Sequence, residues 1–240
     1  MEPGALIDAF ETEAAGLAAA AERGLDAPVS TCPGWDVAEL VIHMGSIHRW
    51  ANLAIRATDM LPPPPRHAPD IERGPALVPW FRDGAAAFAR EMRAADPEAA
   101  VWSWAGPATP VWWMRRQALE TAVHRFDAEL AHGGARDLAA ELAVAGMEET
   151  FDAWVTRYNG TGEDGTKSLH LHATDVPAEW LVVLRRDSLS ATPEHAKGDV
   201  ALRGSASDLY LWLWNRVPID RLEVFGDPAV AATWTRTARF

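Results

Sequence analysis

The chain has a single cysteine, Cys32, among its 240 residues. One cysteine excludes an internal disulfide framework, so the fold must rest on core packing. No run of about 18 apolar residues occurs, which argues against a membrane-spanning helix. Basic residues are outnumbered: 22 Lys and Arg face 34 Asp and Glu, for a formal net charge of -12, and no basic patch offsets them. That field repels a phosphate backbone, so nucleic-acid binding is not expected. The start, Met1-Glu2-Pro3-Gly4, has neither the basic segment nor the apolar stretch of a signal peptide, and the first helical segment is acidic. A cytoplasmic enzyme or binding protein is the expectation. There is no internal repeat and no low-complexity tract beyond the prolines Pro62 to Pro65.

What is present suits a sizeable core. Hydrophobic residues make up 48% and charged residues 23%, enough for one large domain or two ordinary ones. The twelve tryptophans are expected as core or cleft walls. The first ~150 residues carry helix-period patterns. Ala5 to Glu22 repeats apolar residues at three and four (Leu6, Phe10, Ala14, Leu17), and Gly24 ends it. A loop with Cys32-Pro33-Gly34 precedes a second helix capped by Asp36, with Val37, Leu40, Val41, Met44, Ile47 and Trp50 as its buried stripe. The tetraproline ends any helix. Further helices are expected from Ala76 to Ala94, Val111 to Leu130 and Asp137 to Trp154, with a loop marked by Pro97, Gly106-Pro107 and Thr109-Pro110, and with Gly133-Gly134 as a terminator. Long helices with such connections predict an antiparallel bundle.

The pattern changes after Tyr158. Asn159 to Gly165 reads as a flexible turn segment, which puts the expected boundary between domains 1–157 and 158–240. Short alternating runs at Ser168–Ala173, Trp180–Arg185, Ser188–Ala191 and Asp199–Arg203 predict a mostly antiparallel sheet. Ser205 caps a helix through Trp214, Arg221–Phe225 suits another strand, and Asp227 opens a last helix. The expected architecture is a helical bundle followed by a small α+β domain.

Chemistry points to the fourth helix. Glu120 and His124 lie four residues apart, so one helix face presents a carboxylate and an imidazole about one turn apart. A third ligand from a facing helix would complete a metal site. Of the five histidines before residue 160, His43 is the best candidate, mid-helix among Val41, Ile42 and Met44. His48 stands about 140° further round the same helix, so at most one of the two faces the site. His67 lies in the proline-rich loop and His132 at a helix end, where both are easily solvated. Two His and one Glu suit catalytic zinc, with an open fourth position, and other divalent ions would accept them. Such an ion polarises a carbonyl or lowers the pKa of a bound water or thiol. By itself, however, a Glu-x-x-x-His pair is usually a surface or partly buried pair, and a mid-helix His is usually a hydrogen-bonded core residue; spacing leaves both readings open.

Three segments carry a family resemblance. Cys32-Pro33-Gly34-Trp35-Asp36-Val37 with Val41-Ile42-His43-Met44, then Leu119 to Asp127, then Gly204 to Arg216 together resemble the mycothiol-dependent maleylpyruvate isomerase family, among the wider DinB-like metal-binding bundles. The likeness spans nearly the whole chain in the expected order. It implies a DinB-like antiparallel four-helix bundle that binds a divalent metal, typically zinc, through His43, Glu120 and His124. It implies mycothiol as a thiol cofactor whose sulfur meets the metal. It implies a reaction in which a thiolate adds to a cis double bond, rotation follows and elimination returns the trans isomer, since thiolate and not thiol is the nucleophile. A second-domain arginine near cofactor or substrate is also implied, with Arg216 as the candidate and Arg203 as the alternative. Asn215 stands where the resemblance leads one to expect glycine.

The expected function is therefore an isomerase or S-transferase acting on a small electrophile, with a small molecule and a thiol as partners, as a monomer or homodimer. A metal-dependent hydrolase on the same bundle, or an inactive binding or regulatory protein, is the alternative. Several other residues take structural readings. Cys32 is expected as a small buried hydrophobe rather than a redox or metal thiol. His170 and His172 share a strand face that is expected to be solvated or interdomain, with no acidic third ligand nearby in sequence. Trp112-Trp113 fit core or pocket wall. Arg115 and Arg116 suit a carboxylate substrate, but one of two adjacent arginines usually faces solvent, and neither is assigned. Glu141, Glu148 and Glu149 read as a solvated helix face.

Overall fold

A computed structural model describes residues 1–57, 60–64, 71–154 and 164–237. His67, the turn residues 159–163 and the expected boundary at 157/158 lie outside them. The chain forms two compact units, Met1–Arg136 and Asp137–Phe240. The division falls earlier than 157/158, because the fifth helix packs on a later helix of the second unit.

The first unit holds four long helices, α1 (Pro3–Glu22), α2 (Val37–Arg56), α3 (Leu77–Ala94) and α4 (Pro110–Leu130). α1 packs on α3 and α4, and α2 packs on the same two. Their apolar stripes meet in one core of Leu17, Leu40, Met44, Phe81, Phe88, Trp113 and Leu119. Each such side chain contributes roughly 1.5–3 kcal/mol on burial. The Pro-rich segment before α4, expected as a loop, folds as a hairpin of β1 (Val101–Ser103) and β2 (Gly106–Ala108). Gly106, at φ 120°, follows the two-residue turn Trp104-Ala105 and opens β2.

The start of α2 is strongly fixed. Asp36 accepts from the Glu39 amide at 3.0 Å, and Glu39 accepts from the Asp36 amide at 3.1 Å, a reciprocal cap of about 1 kcal/mol. Arg73 adds a bidentate contact to Asp36 at 2.8 Å on both arms. Just before the cap, the Trp35 amide donates to the Cys32 carbonyl at 3.0 Å. Pro33 and Gly34 (φ 87°) occupy the middle of this turn, the pattern of a type II turn. Close approach also shapes the α2–α3 crossing. A β-carbon at Gly45 would overlap the Trp80 ring, and Arg49 lies over that ring at 3.9 Å.

The second unit begins with α5 (Ala140–Glu149), continued by a π-helical turn over Thr150–Trp154. The apolar period predicts one helix over Asp137 to Trp154, as part of the bundle. Glu141 and Glu148 are exposed, but Glu149 is buried. It shares the stripe of Leu142, Ala145 and Gly146, so the helical period turns it inward. Five strands follow: β3 (Lys167–Ala173), β4 (Glu179–Leu184), β5 (Leu189–Thr192), β6 (Val200–Gly204) and β7 (Glu223–Gly226), in the order β5-β4-β3-β6-β7. Only β3–β6 is parallel, so the sheet is mostly antiparallel as expected. α6 (Ala206–Leu213) and α7 (Pro228–Thr237) pack against it. Leu169, Leu171, Val182, Leu184, Val200 and Leu202 are buried at alternate positions, as a one-sided core requires. After α6, the Arg216 amide reaches the Leu211 carbonyl and the Asn215 amide the Trp212 carbonyl, a Schellman stop. Asn215 takes the left-handed residue (φ 56°) that this stop requires, which accounts for the glycine expected there. No helix among the described residues is long and apolar enough to cross a membrane.

Candidate metal centre

α4 carries Glu120 and His124, and α2 carries His43. Ligand atoms of the three lie within 4.8 Å of one another. His43 Nε2 is 3.6 Å from Glu120 Oε1, beyond hydrogen-bond reach. Bonds of about 2.0–2.2 Å to one tetrahedral ion would put two ligand atoms roughly 3.4 Å apart, so the pair is spaced for a shared ion. The His43 and His124 rings stand edge to face at 5.3 Å and 80°. Trp35, delivered by the Cys32–Trp35 turn, lies 4.9 Å from the first ring and 6.4 Å from the second. All three candidate residues are half-buried.

The supporting residues fix both charge and direction. Burial raises the Glu120 pKa, but the Arg116 guanidinium, His43 and His124 outweigh it, so the carboxyl is held well below the usual carboxylate range. Arg116 Nε donates to Glu120 Oε2 at 3.3 Å, which leaves Oε1 toward His43. Although one of two adjacent arginines usually faces solvent, Arg116 is buried and Arg115 half-buried. The reason is that α4 is covered on most sides. Further along the same helix Arg125, wholly buried, is held by Glu13 at 2.6 Å and Glu129 at 2.7 Å.

Asp127, the last residue of the Leu119–Asp127 segment and given no role by the sequence pattern, lies one turn beyond His124. Its Oδ2 meets His124 Nδ1 at 3.0 Å, and its Oδ1 accepts from the Thr31 hydroxyl at 2.7 Å. A carboxylate on Nδ1 sets the tautomer that presents Nε2 as a ligand. The i, i+3 spacing on a helix was the available signal. Cys32 departs from its expected place in an apolar core: it is half-buried and its thiol donates to Asp127 Oδ2 at 3.7 Å.

His48 does not join the site. It is wholly buried, with Nε2 3.0 Å from Thr121 Oγ1 and Phe10, Phe81 and Phe88 around its ring. Burial lowers its pKa to about 3, so it is neutral. Trp113 is core, its indole donating to the Trp102 carbonyl at 2.8 Å, and Trp112 packs on it at 5.0 Å.

In the second unit, Arg203 is exposed and donates to Glu223 Oε2 at 2.9 Å, across the β6–β7 pair. Arg216 is half-buried, and its Nη1 donates to the Trp214 carbonyl at 2.8 Å. His170 and His172 do have an acidic neighbour: the β3–β4 register puts Glu179 opposite His172. Hydrogen bonds from His195, His170 and His172 lower the Glu179 pKa to about 2.

Comparison with known proteins identifies the fold and the family. A search of curated sequences finds no significant relative. Two solved structures, of the mycothiol-dependent maleylpyruvate isomerase and of a histidine-to-alanine mutant of it, are 12% identical, with 93% of each chain covered and TM-scores of 0.66 and 0.67. At that identity the likeness shows the shared fold. The mycothiol maleylpyruvate isomerase N-terminal domain matches residues 6–129 and the MDMPI C-terminal domain residues 141–233. With both domains matched in order along most of its length, the chain belongs to the mycothiol maleylpyruvate isomerase family.

Proposed function

We propose that this chain is a metal- and mycothiol-dependent isomerase of the maleylpyruvate type, or a transferase that moves the same thiol onto a small electrophile. The observation that carries the reading is the convergence of His43, Glu120 and His124 from two helices. Two imidazoles and one ionised carboxylate fit a divalent ion, zinc first, with a coordination position left over. When bound, that ion would lower the thiol pKa and hold the sulfur as thiolate.

The chain's own residues do the rest. Asp127 keeps the His124 proton on Nδ1, so Nε2 offers its lone pair. Arg116 neutralises Glu120 and restrains one of its oxygens. Trp35 packs beside both imidazoles and keeps water from that side. Of the two arginines, Arg216 is proposed to bind an anionic group of thiol or substrate, with Arg203 as the alternative. A cytoplasmic location belongs to the same proposal.

The test is zinc content by elemental analysis together with turnover of maleylpyruvate with and without mycothiol. Zinc at His43, Glu120 and His124, lost in the triple Ala variant along with thiol-dependent turnover, is the expected result. Freshly purified protein that holds no metal there would refute the metal reading. Turnover indifferent to the thiol would point instead to a hydrolase. For Arg216→Ala, a raised KM for mycothiol at unchanged zinc content is expected; Arg203→Ala should change neither.

A further inference from the structure

We propose that His170, His172, Glu179 and His195 form a second transition-metal site, in the second unit and independent of the first. Ligand atoms of all four lie within 4.8 Å of one another. Three imidazoles converge on one carboxylate. His170 Nε2 lies 2.8 Å and His195 Nδ1 2.5 Å from Glu179 Oε2, and His172 Nδ1 lies 3.2 Å from Oε1. The rings stand edge to face, His170 to His172 at 6.0 Å and 70°, His170 to His195 at 5.2 Å and 89°. A tetrahedral ion needs its ligand atoms roughly 3.4 Å apart, so a small outward shift of these side chains admits one.

The framework is built to hold this group together. His170 and His172 share one face of β3 by strand alternation, and Glu179 joins that face from β4 by register. Leu169 and Leu171 fill the opposite, core face. His195 comes from the β5–β6 connection, which lies flush on the sheet. A β-carbon at Gly198 would stand 2.8 Å from the His170 amide nitrogen, so only glycine allows that approach. Asp199 then ties the connection down, accepting from the Ser168 amide at 2.8 Å and hydroxyl at 2.7 Å. The cation across the strand, Arg203 opposite His172, is paired with Glu223.

Electrostatics favours an ion over a mere cluster of pairs. An exposed carboxylate–imidazole pair adds little stability. One such pair would satisfy Glu179, whereas three imidazoles gathered on it, one of them from a separate loop, match a complete N3O ligand set. Imidazoles with one carboxylate select zinc, copper or nickel over magnesium or calcium. Four protein ligands fill a tetrahedral ion, so the role is structural: the ion would clasp the His195 loop to β3 and β4.

The test is zinc content of the full chain after equilibration with zinc and dialysis. Two ions per chain are expected in the wild type. His195→Ala, an exposed position where folding is not at stake, should lose one, and Glu179→Gln should lose the same one, each with at least about a 10–100-fold drop in affinity. A His43→Ala/His124→Ala variant should keep one ion and show a higher Tm on added zinc, a rise abolished by His195→Ala. If the first centre proves empty, the wild type holds one ion and His195→Ala removes it, which still supports this site. Zinc content and Tm response unchanged by both His195→Ala and Glu179→Gln would overturn it.

Discussion

Asp127→Asn tests the metal centre without touching a ligand. The side chain is buried, so the replacement must keep its shape, and asparagine does. With the amide oxygen toward His124, the Nδ1 contact at 3.0 Å survives as a neutral hydrogen bond. The amide nitrogen then faces the Thr31 hydroxyl, which reverses from donor to acceptor. What is lost is the negative charge behind the imidazole. Charge-assisted hydrogen bonds are about twice as strong as neutral ones. Loss of an outer partner of a ligating histidine costs ~10–100-fold in metal affinity, or ~1.4–2.8 kcal/mol at 1.4 kcal/mol per decade. The assay is competition for zinc against a chelator of known affinity, with Tm of the metal-free protein as the control for folding. The expected result is a 10–100-fold weaker Kd at nearly unchanged metal-free Tm. A Kd within about threefold of wild type, while His124→Ala abolishes binding, would refute the role given to Asp127.

Three further outcomes follow from the packing. Glu13→Ala removes the 2.6 Å contact at Nε of the wholly buried Arg125, and should cost about 3 kcal/mol in urea denaturation, with Glu13→Gln costing less. Gly45→Ala gains about 1 kcal/mol of helix propensity but drives the Trp80 ring from its place on α2. Its net effect should be a loss of about 1–2 kcal/mol and a shifted tryptophan emission. His48 should make the fold acid-sensitive. Its pKa is lowered to about 3 in the folded state from 6.5, so below pH 6.5 the unfolded chain takes up a proton that the folded one refuses. Stability therefore falls as pH drops, by about 1.4 kcal/mol per unit between pH 6.5 and 3 and about 2 kcal/mol by pH 5. His48→Leu should flatten that part of the stability–pH curve, and an unchanged slope would exclude His48 as its source.

The helices and strands were legible because apolar periodicity is local, and so was the pairing of Glu120 with His124. Helical rotation alone separates His43 from His48, and the structure puts His43 beside Glu120 and His48 among three phenylalanines. The division at 136/137 was not legible, because a helix pattern does not say which unit its stripe will meet; α5 meets α6. Nor was the setting of Cys32, whose neighbour Asp127 is brought by a helix 95 residues away.

The two carboxylates that orient histidines show where the limit lies. Asp127 follows His124 by three residues on a helix, and that spacing alone makes them neighbours. Glu179 follows His172 by seven residues across a strand turn, and proximity there depends on register. Shifting the β3–β4 pairing by one residue would move Glu179 to the core face and Trp180 to the histidine face. The burial of Trp180, Val182 and Leu184 forbids that slip, so the apolar face of β4 is what delivers the carboxylate to the three imidazoles. A cluster that reads in sequence as two histidines on a solvated or interdomain face is thus set by the hydrophobic residues between its members.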